Sequence, residues 1–211
     1  MYKNIQKKTF NRFTRVSRET ITSLEKYENN LIKANEKLNL IGKSTIKDMW
    51  ERHFLDSAQV IDFIDKNSKT LVDIGSGAGF PGLILSIIIK DRKMPIKVQV
   101  IEKSPKKAHF LNKISSDLNL NVEVSCCNIF DTKNKISKEV IVARAFKPLG
   151  IILDLIHKKT EDWKKIFIFL GKTGKNELIE ASKIWDIEYK QRVSITNNDS
   201  AIIEINNLEK K

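Results

Sequence analysis

The chain has 211 residues and an apolar fraction of 41%, which suffices for one large folded domain with a small appendage and argues against a disordered protein. Its net charge of +12 favours a polyanionic partner such as nucleic acid, although a lysine-rich composition alone could also give this charge. The two adjacent cysteines, Cys126 and Cys127, exclude a disulfide scaffold, and no apolar stretch is long enough to span a bilayer, so we expect a cytoplasmic protein.

The N-terminal part of the chain is predicted to be helical. The first 18 residues are basic and lack Asp and Glu, a composition that fits either an RNA-contacting arm or an organellar transit peptide. In the segment that follows, apolar side chains recur at three- and four-residue steps, which predicts two amphipathic helical stripes. We therefore predict a helical region over residues 1–68, with Trp50 and Phe54 in its core. We expect His53 to bridge to the following domain in a structural role rather than to act chemically.

From residue 69 onward, short apolar runs alternate with amphipathic segments, the pattern of an α/β fold. The predicted strands are Leu71–Ile74, Lys97–Glu102, Val122–Ser125, Val140–Ala143, Ile166–Leu170, Tyr189–Ile195 and Ala201–Ile205. Helices are predicted to begin near Gly82, Pro105, Gly150 and Lys175. The last two strands have no helix between them. The sequence therefore predicts a mostly parallel seven-stranded sheet over residues 69–211, with an antiparallel hairpin at one edge.

A glycine-rich loop follows the first predicted strand, in the segment Leu71-Val-Asp-Ile-Gly-Ser-Gly-Ala-Gly-Phe-Pro-Gly82. Its glycines let the backbone turn tightly and approach a ligand at the carboxyl end of the strand. The spacing of Gly75, Gly77 and Gly79 after Asp73 is typical of S-adenosylmethionine enzymes and does not fit the G-x-G-x-x-G pattern of dinucleotide-binding proteins. Glu102 ends the second strand, where a carboxylate can accept hydrogen bonds from both ribose hydroxyls of a cofactor.

The segment after the fourth predicted strand bears on which acceptor atom would be methylated. It reads Ala143-Arg-Ala-Phe-Lys-Pro148 and lacks the Asp/Asn-Pro-Pro-aromatic motif of enzymes that methylate exocyclic amines. Methylation of C5 of a pyrimidine would need a cysteine nucleophile, but Cys126 and Cys127 end an apolar strand and are predicted to be inert core thiols. Once exocyclic amines and pyrimidine C5 are set aside, an acceptor atom with a free lone pair, such as guanine N7, fits the sequence because it needs no general base.

Five segments carry a resemblance to a known family: Asn39-Leu40, Trp50-Glu-Arg-His-Phe-Leu-Asp-Ser57, Asp73-Ile-Gly-Ser-Gly-Ala-Gly-Phe-Pro-Gly82, Glu102-Lys-Ser-Pro-Lys-Lys107 with Phe110-Leu111, and Arg144-Ala-Phe146. Over nearly its whole length the chain resembles the RsmG (GidB) bacterial 16S rRNA guanine-N7 methyltransferases. The resemblance implies a class I methyltransferase fold, Rossmann-like, with an N-terminal helical extension. It also implies S-adenosyl-L-methionine as cofactor, and methylation of N7 of a guanosine in the 530 loop of 16S rRNA, as free rRNA or in the small ribosomal subunit.

Together with the glycine-rich loop, the resemblance implies a cofactor site made of Asp73, Gly75, Gly77, Gly79, Phe80, Glu102, Ile129, Phe130 and Arg144. Arg144 is similar to the family's arginine at the junction between cofactor and substrate. The residues expected to bind RNA are Lys106, Lys107 and Lys172. The chain departs from the family at Phe130, where a Glu is usual, at Asn128, where an Arg is usual, and at Gly171-Lys172, where the order Lys-Gly is usual. Asp131 is a candidate to replace the missing carboxylate.

Other functions are compatible with the same residues. A methyltransferase that acts on another RNA or on a small molecule would share the cofactor motifs, and so would a non-enzymatic RNA-binding protein that keeps the fold. Methyl transfer into RNA separates the small-molecule methyltransferase from the RNA methyltransferases, and turnover of the cofactor excludes the non-enzymatic RNA-binding protein. We expect a monomer that needs neither a metal ion nor a membrane.

Overall fold

A computed structural model describes residues 2–133 and 135–211. Its N-terminal region begins with two α-helices, α1 (Tyr2–Thr14) and α2 (Arg18–Leu38). The Ser17 side chain caps the start of α2 by accepting a hydrogen bond from the Thr20 amide, and Asn39 ends the helix in a left-handed conformation. Short helical turns follow over Lys43–Asp48 (3₁₀), Trp50–Leu55 (π), α3 (Asp56–Ala58) and Ile61–Phe63 (3₁₀).

Two features of this region differ from the prediction. Helix α1 is ordered by packing that the sequence of the first residues does not reveal: Phe10 is fully buried, and its ring meets the Trp50 ring edge-on at 5.5 Å. The second apolar stripe is also not one helix, because it contains the π-helical turn Trp50–Leu55. Trp50 and Phe54 are fully buried, as predicted. A π turn of this kind frequently lies at a functional site.

The sheet has seven strands in the order β3-β2-β1-β5-β7-β9-β8. Its members are β1 (Thr70–Ile74), β2 (Lys97–Glu102), β3 (Val122–Cys126), β5 (Val140–Arg144), β7 (Lys165–Leu170), β8 (Trp185–Val193) and β9 (Ala201–Lys210). The first five of these run parallel, whereas β9 is antiparallel to both β7 and β8. The predicted parallel sheet and its edge hairpin are therefore confirmed. A small parallel pair, β4 (Ile136–Ser137) with β6 (Thr160–Glu161), was not predicted.

Helices cover both faces of the sheet. The helices are α4 (Gly82–Asp91), α5 (Pro105–Asp117), α6 (Leu149–Lys159) and α7 (Gly174–Ser182). On one face, buried side chains of α4 and α5 share a single hydrophobic core with the N-terminal region. On the other face, α6 and α7 form a second core with the opposite side of the strands. The division into domains at residue 68 stays a prediction, although the two parts share this first core.

The strand order indicates where in the sheet a ligand would bind. Strand order reverses between β1 and β5, and ligands of open α/β sheets bind at the carboxyl ends of strands at such a point. The carboxyl end of β1 continues into the glycine-rich loop, β2 ends at Glu102 and β5 ends at Arg144. Within the described residues, no helix is long and apolar enough to cross a membrane.

Candidate functional site

A cavity of about 560 Å³ opens at the carboxyl ends of β1, β2, β3 and β5. Three segments of the sheet domain form its floor and sides: the glycine-rich loop, the segment 127–130 and the segment 144–147. Leu40, Ile41 and His53 close it from the N-terminal region. This volume lies in the range of ordinary cofactor pockets, about 300–1,000 Å³.

The glycine-rich loop depends on two glycines with positive φ and no room for a side chain. Gly75 has φ +75°, and a Cβ atom there would lie 2.0 Å from the Phe146 ring. Gly79 has φ +104°, and a Cβ atom there would lie 2.3 Å from the Tyr27 hydroxyl oxygen. Gly77 also has a positive φ, +58°, but a Cβ atom there would meet only the Gly75 carbonyl oxygen, at 4.0 Å. The loop therefore presents bare backbone to the cavity, which allows a ligand to approach closely.

Asp73 lies beneath this loop rather than in the cavity wall. It is fully buried, and its Oδ2 accepts hydrogen bonds from the Ser76 hydroxyl and from the Gly82 amide, 2.9 Å away. Its Oδ1 has no partner among the described residues. Burial raises the pKa of Asp73 to about 6, although the two hydrogen bonds oppose this shift. The residue thus positions the loop from below, and so does not contact the cavity directly.

Glu102 lines the cavity at the end of β2, where the sequence predicts the ribose ligand. Its Oε2 accepts a hydrogen bond from the Gly77 amide at 3.0 Å, and its Oε1 accepts one from the Ser104 amide at 2.8 Å. The carboxylate is therefore fixed between the loop and the start of α5. Because a carboxylate has about four lone-pair positions, both oxygens can still accept hydrogen bonds from a diol.

Apolar and aromatic groups line the side of the cavity that is expected to receive the adenine. Ile129 is buried, and Phe130, which is 38% exposed, lies nearly parallel to Phe146 with ring centroids 6.0 Å apart. Asp131, the candidate replacement carboxylate, accepts a hydrogen bond from the Asn128 amide and does not line the cavity. The structure therefore offers apolar contacts rather than a carboxylate at this position.

The prediction that both cysteines are core thiols is wrong. Cys126 is exposed and Cys127 is half-buried in the cavity wall. The reason is that β3 is the edge strand of the sheet and its end faces the opening of the cavity. Partial burial and the neighbouring Cys126 raise the pKa of Cys127, so the thiol rather than the nucleophilic thiolate is favoured at neutral pH.

Arg144 joins the sheet to the N-terminal region. Its Nε lies 2.9 Å from Asp56 Oδ2, and its Nη2 donates to the Arg52 carbonyl oxygen at 2.7 Å. A longer hydrogen bond of 3.3 Å runs from Nη1 to the Ser57 hydroxyl. Both members of the ion pair are largely buried, with side chains 16% and 14% exposed. The arginine therefore lines the cavity while backbone and side-chain partners hold its guanidinium.

His53 has the bridging role that the sequence analysis favoured. Its ring stacks on Phe80 at 5.1 Å with an interplanar angle of 6°. Its Nε2 lies 2.8 Å from the Thr45 hydroxyl and its Nδ1 lies 3.4 Å from Arg144 Nη2, so Nδ1 accepts and Nε2 carries the proton. Burial and the charges of Arg144 and Arg52 lower the pKa of His53 to about 3. The imidazole is therefore neutral at pH 7, with both nitrogens engaged.

The lysines predicted to bind RNA lie in different places. Lys107 lines the cavity, as does Lys103, which the sequence analysis did not select. Lys106 is exposed on the first turn of α5 and Lys172 is exposed after β7, but neither lines the cavity. Lys147 also lines the cavity and is exposed. Among the residues that the structure describes, no cluster of three or more His, Cys, Asp or Glu side chains could hold a metal ion.

Comparison with known proteins identifies the family. The family described as rRNA small subunit methyltransferase G matches residues 20–205. A relative from Pelagibacter ubique, named ribosomal RNA small subunit methyltransferase G, is 46% identical over 198 residues that cover 93% of this chain and 92% of the relative. The chain belongs to this methyltransferase G family. A further relative of the same name, from Rickettsia felis, is 37% identical over 92% of this chain and 97% of its own length.

Solved structures of distant methyltransferases share the fold of this methyltransferase G family member. The M. capricolum TrmK structure in complex with S-adenosyl-homocysteine has a TM-score of 0.54 at 18% identity, over 71% of this chain and 66% of that chain. A SAM-dependent methyltransferase from Aquifex aeolicus has a TM-score of 0.56 at 16% identity, over 83% and 97%. The fold is thus that of class I methyltransferases, and the predicted cofactor, S-adenosyl-L-methionine, agrees with fold, family and cavity.

Proposed function

We propose that this methyltransferase G family member transfers a methyl group from S-adenosyl-L-methionine to N7 of a guanosine in the 530 loop of 16S rRNA, in the cytoplasm. Family membership and the names of its relatives support rRNA as the substrate. The net charge of +12 supports a polyanionic partner. The choice of N7 rests on the resemblance described above and on the chemistry of the cavity.

One observation carries the choice of acceptor atom: the cavity wall holds no side chain available as a general base, among the residues described. Both nitrogens of His53 are engaged, and its pKa of about 3 leaves it neutral. Two backbone hydrogen bonds fix Glu102, and in this proposal its remaining lone pairs accept from the ribose hydroxyls. The raised pKa of Cys127 disfavours its thiolate. An acceptor that must lose a proton would therefore find no general base in this wall, whereas guanine N7 attacks through its lone pair and loses no proton.

The residues of the cavity position the reactants. When bound, S-adenosyl-L-methionine supplies a sulfonium methyl group: the guanine N7 lone pair forms the new N–C bond, and the C–S electron pair returns to sulfur. We propose that Glu102 holds the ribose and that Ile129 and Phe130, which line the same cavity, contact the adenine. The bare backbone from Gly75 to Gly77 leaves room for the amino acid end. Rate acceleration then comes from holding donor and acceptor in line at close range.

The test is methyl transfer from radiolabelled S-adenosyl-L-methionine into small ribosomal subunits and free 16S rRNA from a strain that lacks this methyl group. Chemical cleavage specific for 7-methylguanosine locates the product, and Gly75→Val serves as the variant without cofactor binding. We expect label at a single guanosine of the 530 loop. Label at another atom or in another RNA, or no label although calorimetry shows bound cofactor, would contradict the proposal.

A further inference from the structure

Helix α1 has one face that packs on the protein and one face that is open to solvent. Phe10 and Thr14 on the packed face are buried, and the Phe10 ring meets the Trp50 ring edge-on at 5.5 Å. In the first turn of the helix, the Tyr2 hydroxyl donates to Asp48 Oδ1 at 3.2 Å. The helix is therefore held against the protein at both ends, and its outer face has a fixed orientation.

The cations of this segment fall into two groups. Lys3 and Lys7 are neutralised by helix α2, since Lys3 Nζ lies 2.8 Å from Glu28 Oε2 and Lys7 forms an ion pair with Glu25. Residues 1–18 contain no Asp or Glu that could neutralise the others. Four exposed side chains, which form no ion pair or hydrogen bond within the described part of the chain, make up what we call the basic surface of α1: Lys8, Arg12, Arg15 and Arg18.

The stability of the helix does not explain these charges. Lys8 and Arg12 are four residues apart on one face of α1, and like charges at this spacing destabilise a helix. The helix dipole favours a cation in the last turn, such as Arg12, but not one in the middle of the helix, such as Lys8. Arg15 has φ +54°, a left-handed conformation that Gly adopts more easily. An anionic partner would offset the repulsion and use the charge that Gly lacks.

The structure favours RNA over a membrane as this anionic partner. A helix that binds a membrane surface buries its apolar face in the lipid, whereas the apolar face of α1 already packs on the π-helical turn. Within α1, only Tyr2 and Ile5 are exposed large apolar side chains. An RNA backbone needs only cations spaced along a rigid element, and a helix of 13 residues, about 20 Å long, can meet several phosphates.

Part of the basic surface lies far from the site of methyl transfer. In the turn between α1 and α2, the Ser17 amide donates to Asp91 Oδ1 at 3.1 Å, and the Thr14 carbonyl accepts from Arg92 at 3.1 Å. Asp91 ends α4, which begins at Gly82 next to the glycine-rich loop and extends over 10 residues, about 15 Å. The turn therefore lies at the end of α4 remote from the cofactor cavity. A phosphate bound there belongs to a nucleotide other than the methyl acceptor.

We propose that the basic surface of α1 binds the phosphate backbone of 16S rRNA away from the nucleotide that is methylated. This inference rests on the proposed function and adds a second region of contact with the RNA. The family match begins at residue 20, so α1 lies outside the part of the chain that it covers. The four cations are positioning residues, because they touch the RNA backbone and not the reacting atoms.

The experiment measures the affinity for a fluorescent 16S rRNA fragment that contains the 530 loop and its flanking helices, at several salt concentrations. Lys8→Gln/Arg12→Gln is expected to weaken binding about tenfold and to lower the slope of log affinity against log salt by about 1.4–1.8, the value for two lost phosphate contacts. The KM for RNA should rise by a similar factor, with little change in kcat. Lys8→Arg/Arg12→Lys keeps both charges and should keep the slope.

The matched control removes two charges from the other side of the sheet domain. Lys175 on α7 and Lys190 on β8 are exposed and form no ion pair among the described residues, so Lys175→Gln/Lys190→Gln should leave the slope unchanged. Isothermal titration with S-adenosyl-L-methionine should give the wild-type affinity in every variant, which shows that the fold is intact.

Two results would overturn the proposal. One is a slope in Lys8→Gln/Arg12→Gln that equals that of the wild type or of the control variant. The other is wild-type binding to phosphatidylglycerol vesicles that this variant abolishes while its RNA affinity is unchanged, because the surface would then serve a membrane. If the wild-type chain binds cofactor and RNA but does not methylate the RNA, the proposed function fails, and the slopes still decide whether α1 binds RNA.

Discussion

The two walls of the cofactor cavity are built in different ways. The wall from the sheet domain includes the bare backbone of the glycine-rich loop and one carboxylate, Glu102, and both follow directly from the strands β1 and β2 that carry them. The wall from the N-terminal region depends on contacts between distant parts of the chain. Tyr27 donates to the Ala78 carbonyl 51 positions away, and Arg144 donates to the Arg52 carbonyl 92 positions away. The sheet wall is therefore locally encoded, whereas the other wall forms only when the helices pack.

The largest expected effect comes from breaking the sheet wall. Gly75→Val introduces a β-branched side chain at φ +75°, where even a Cβ atom would lie 2.0 Å from the Phe146 ring. We expect cofactor affinity to fall at least about a hundredfold, since more than one kcal/mol of strain adds to the blocked approach. Isothermal titration with S-adenosyl-L-methionine measures it.

A matched control is available in the same domain. Gly150, at the start of α6, has open space around its Cβ position, so Gly150→Ala should bind cofactor like the wild type. Unchanged affinity in Gly75→Val would remove the glycine-rich loop from the cofactor site.

The next largest effect is expected at the ion pair of Arg144 with Asp56, which connects the sheet to the N-terminal region. Arg144→Gln leaves the Asp56 carboxylate without its partner in a site where both side chains are largely buried. Loss of one partner of a buried ion pair costs about 3 kcal/mol or more in the free energy of unfolding. Chemical denaturation measures this loss. The double variant with Asp56→Asn should lose less than the sum of the two single variants, because no unpaired charge then remains.

An exposed ion pair provides the control for this experiment. Lys113 and Asp117 lie 2.9 Å apart on α5 with side chains 56% and 29% exposed, so solvent screens the pair and Lys113→Gln should change the stability far less than Arg144→Gln does. Equal losses for Arg144→Gln and Lys113→Gln would mean that the buried pair does not hold the N-terminal region in place.

The smallest effect is expected at Tyr27. This residue is fully buried, and its hydroxyl donates to the Ala78 carbonyl in the glycine-rich loop. Tyr27→Phe keeps the ring but leaves the carbonyl unpaired, at a cost of about 1 kcal/mol, which corresponds to a cofactor affinity about fivefold weaker. Tyr189→Phe, at a 41% exposed position on β8, is the control and should leave the affinity unchanged. A wild-type affinity in Tyr27→Phe would show that the loop is held without this hydrogen bond.

The locally encoded wall is also the part of the site that the sequence predicts well. The bounds of β2 and the position of Glu102 agree with the prediction because strand, loop and helix follow one another in a short segment. The sequence does not reveal that Leu40, Ile41 and His53 face the cofactor cavity, since their positions depend on how the N-terminal region packs. The Asn39-Leu40 and Trp50–Ser57 motifs marked these segments without indicating which side chains face the ligand.

The predictions that differ from the structure concern features that depend on how distant parts of the chain pack. The predicted helical region includes α1, but no apolar stripe was assigned to the first 18 residues because their few apolar side chains form none, and the contact of Phe10 with Trp50 explains how α1 packs. The prediction that the cysteines are buried was wrong because an apolar run does not show that its strand lies at the edge of the sheet. Asp73 was expected among the cofactor contacts, yet the structure places it beneath the loop, where it positions the backbone instead.

The burial of Asp73 makes the stability of the folded chain depend on pH. Its pKa is about 6 in the folded chain and 3.8 as the ordinary value, so between these values the folded state holds a proton that the unfolded state has released. Stability from this group is thus fully present below pH 3.8 and declines as the pH rises to about 6, by roughly 3 kcal/mol. At neutral pH the protein therefore carries a buried negative charge beneath its cofactor loop, at the expense of stability.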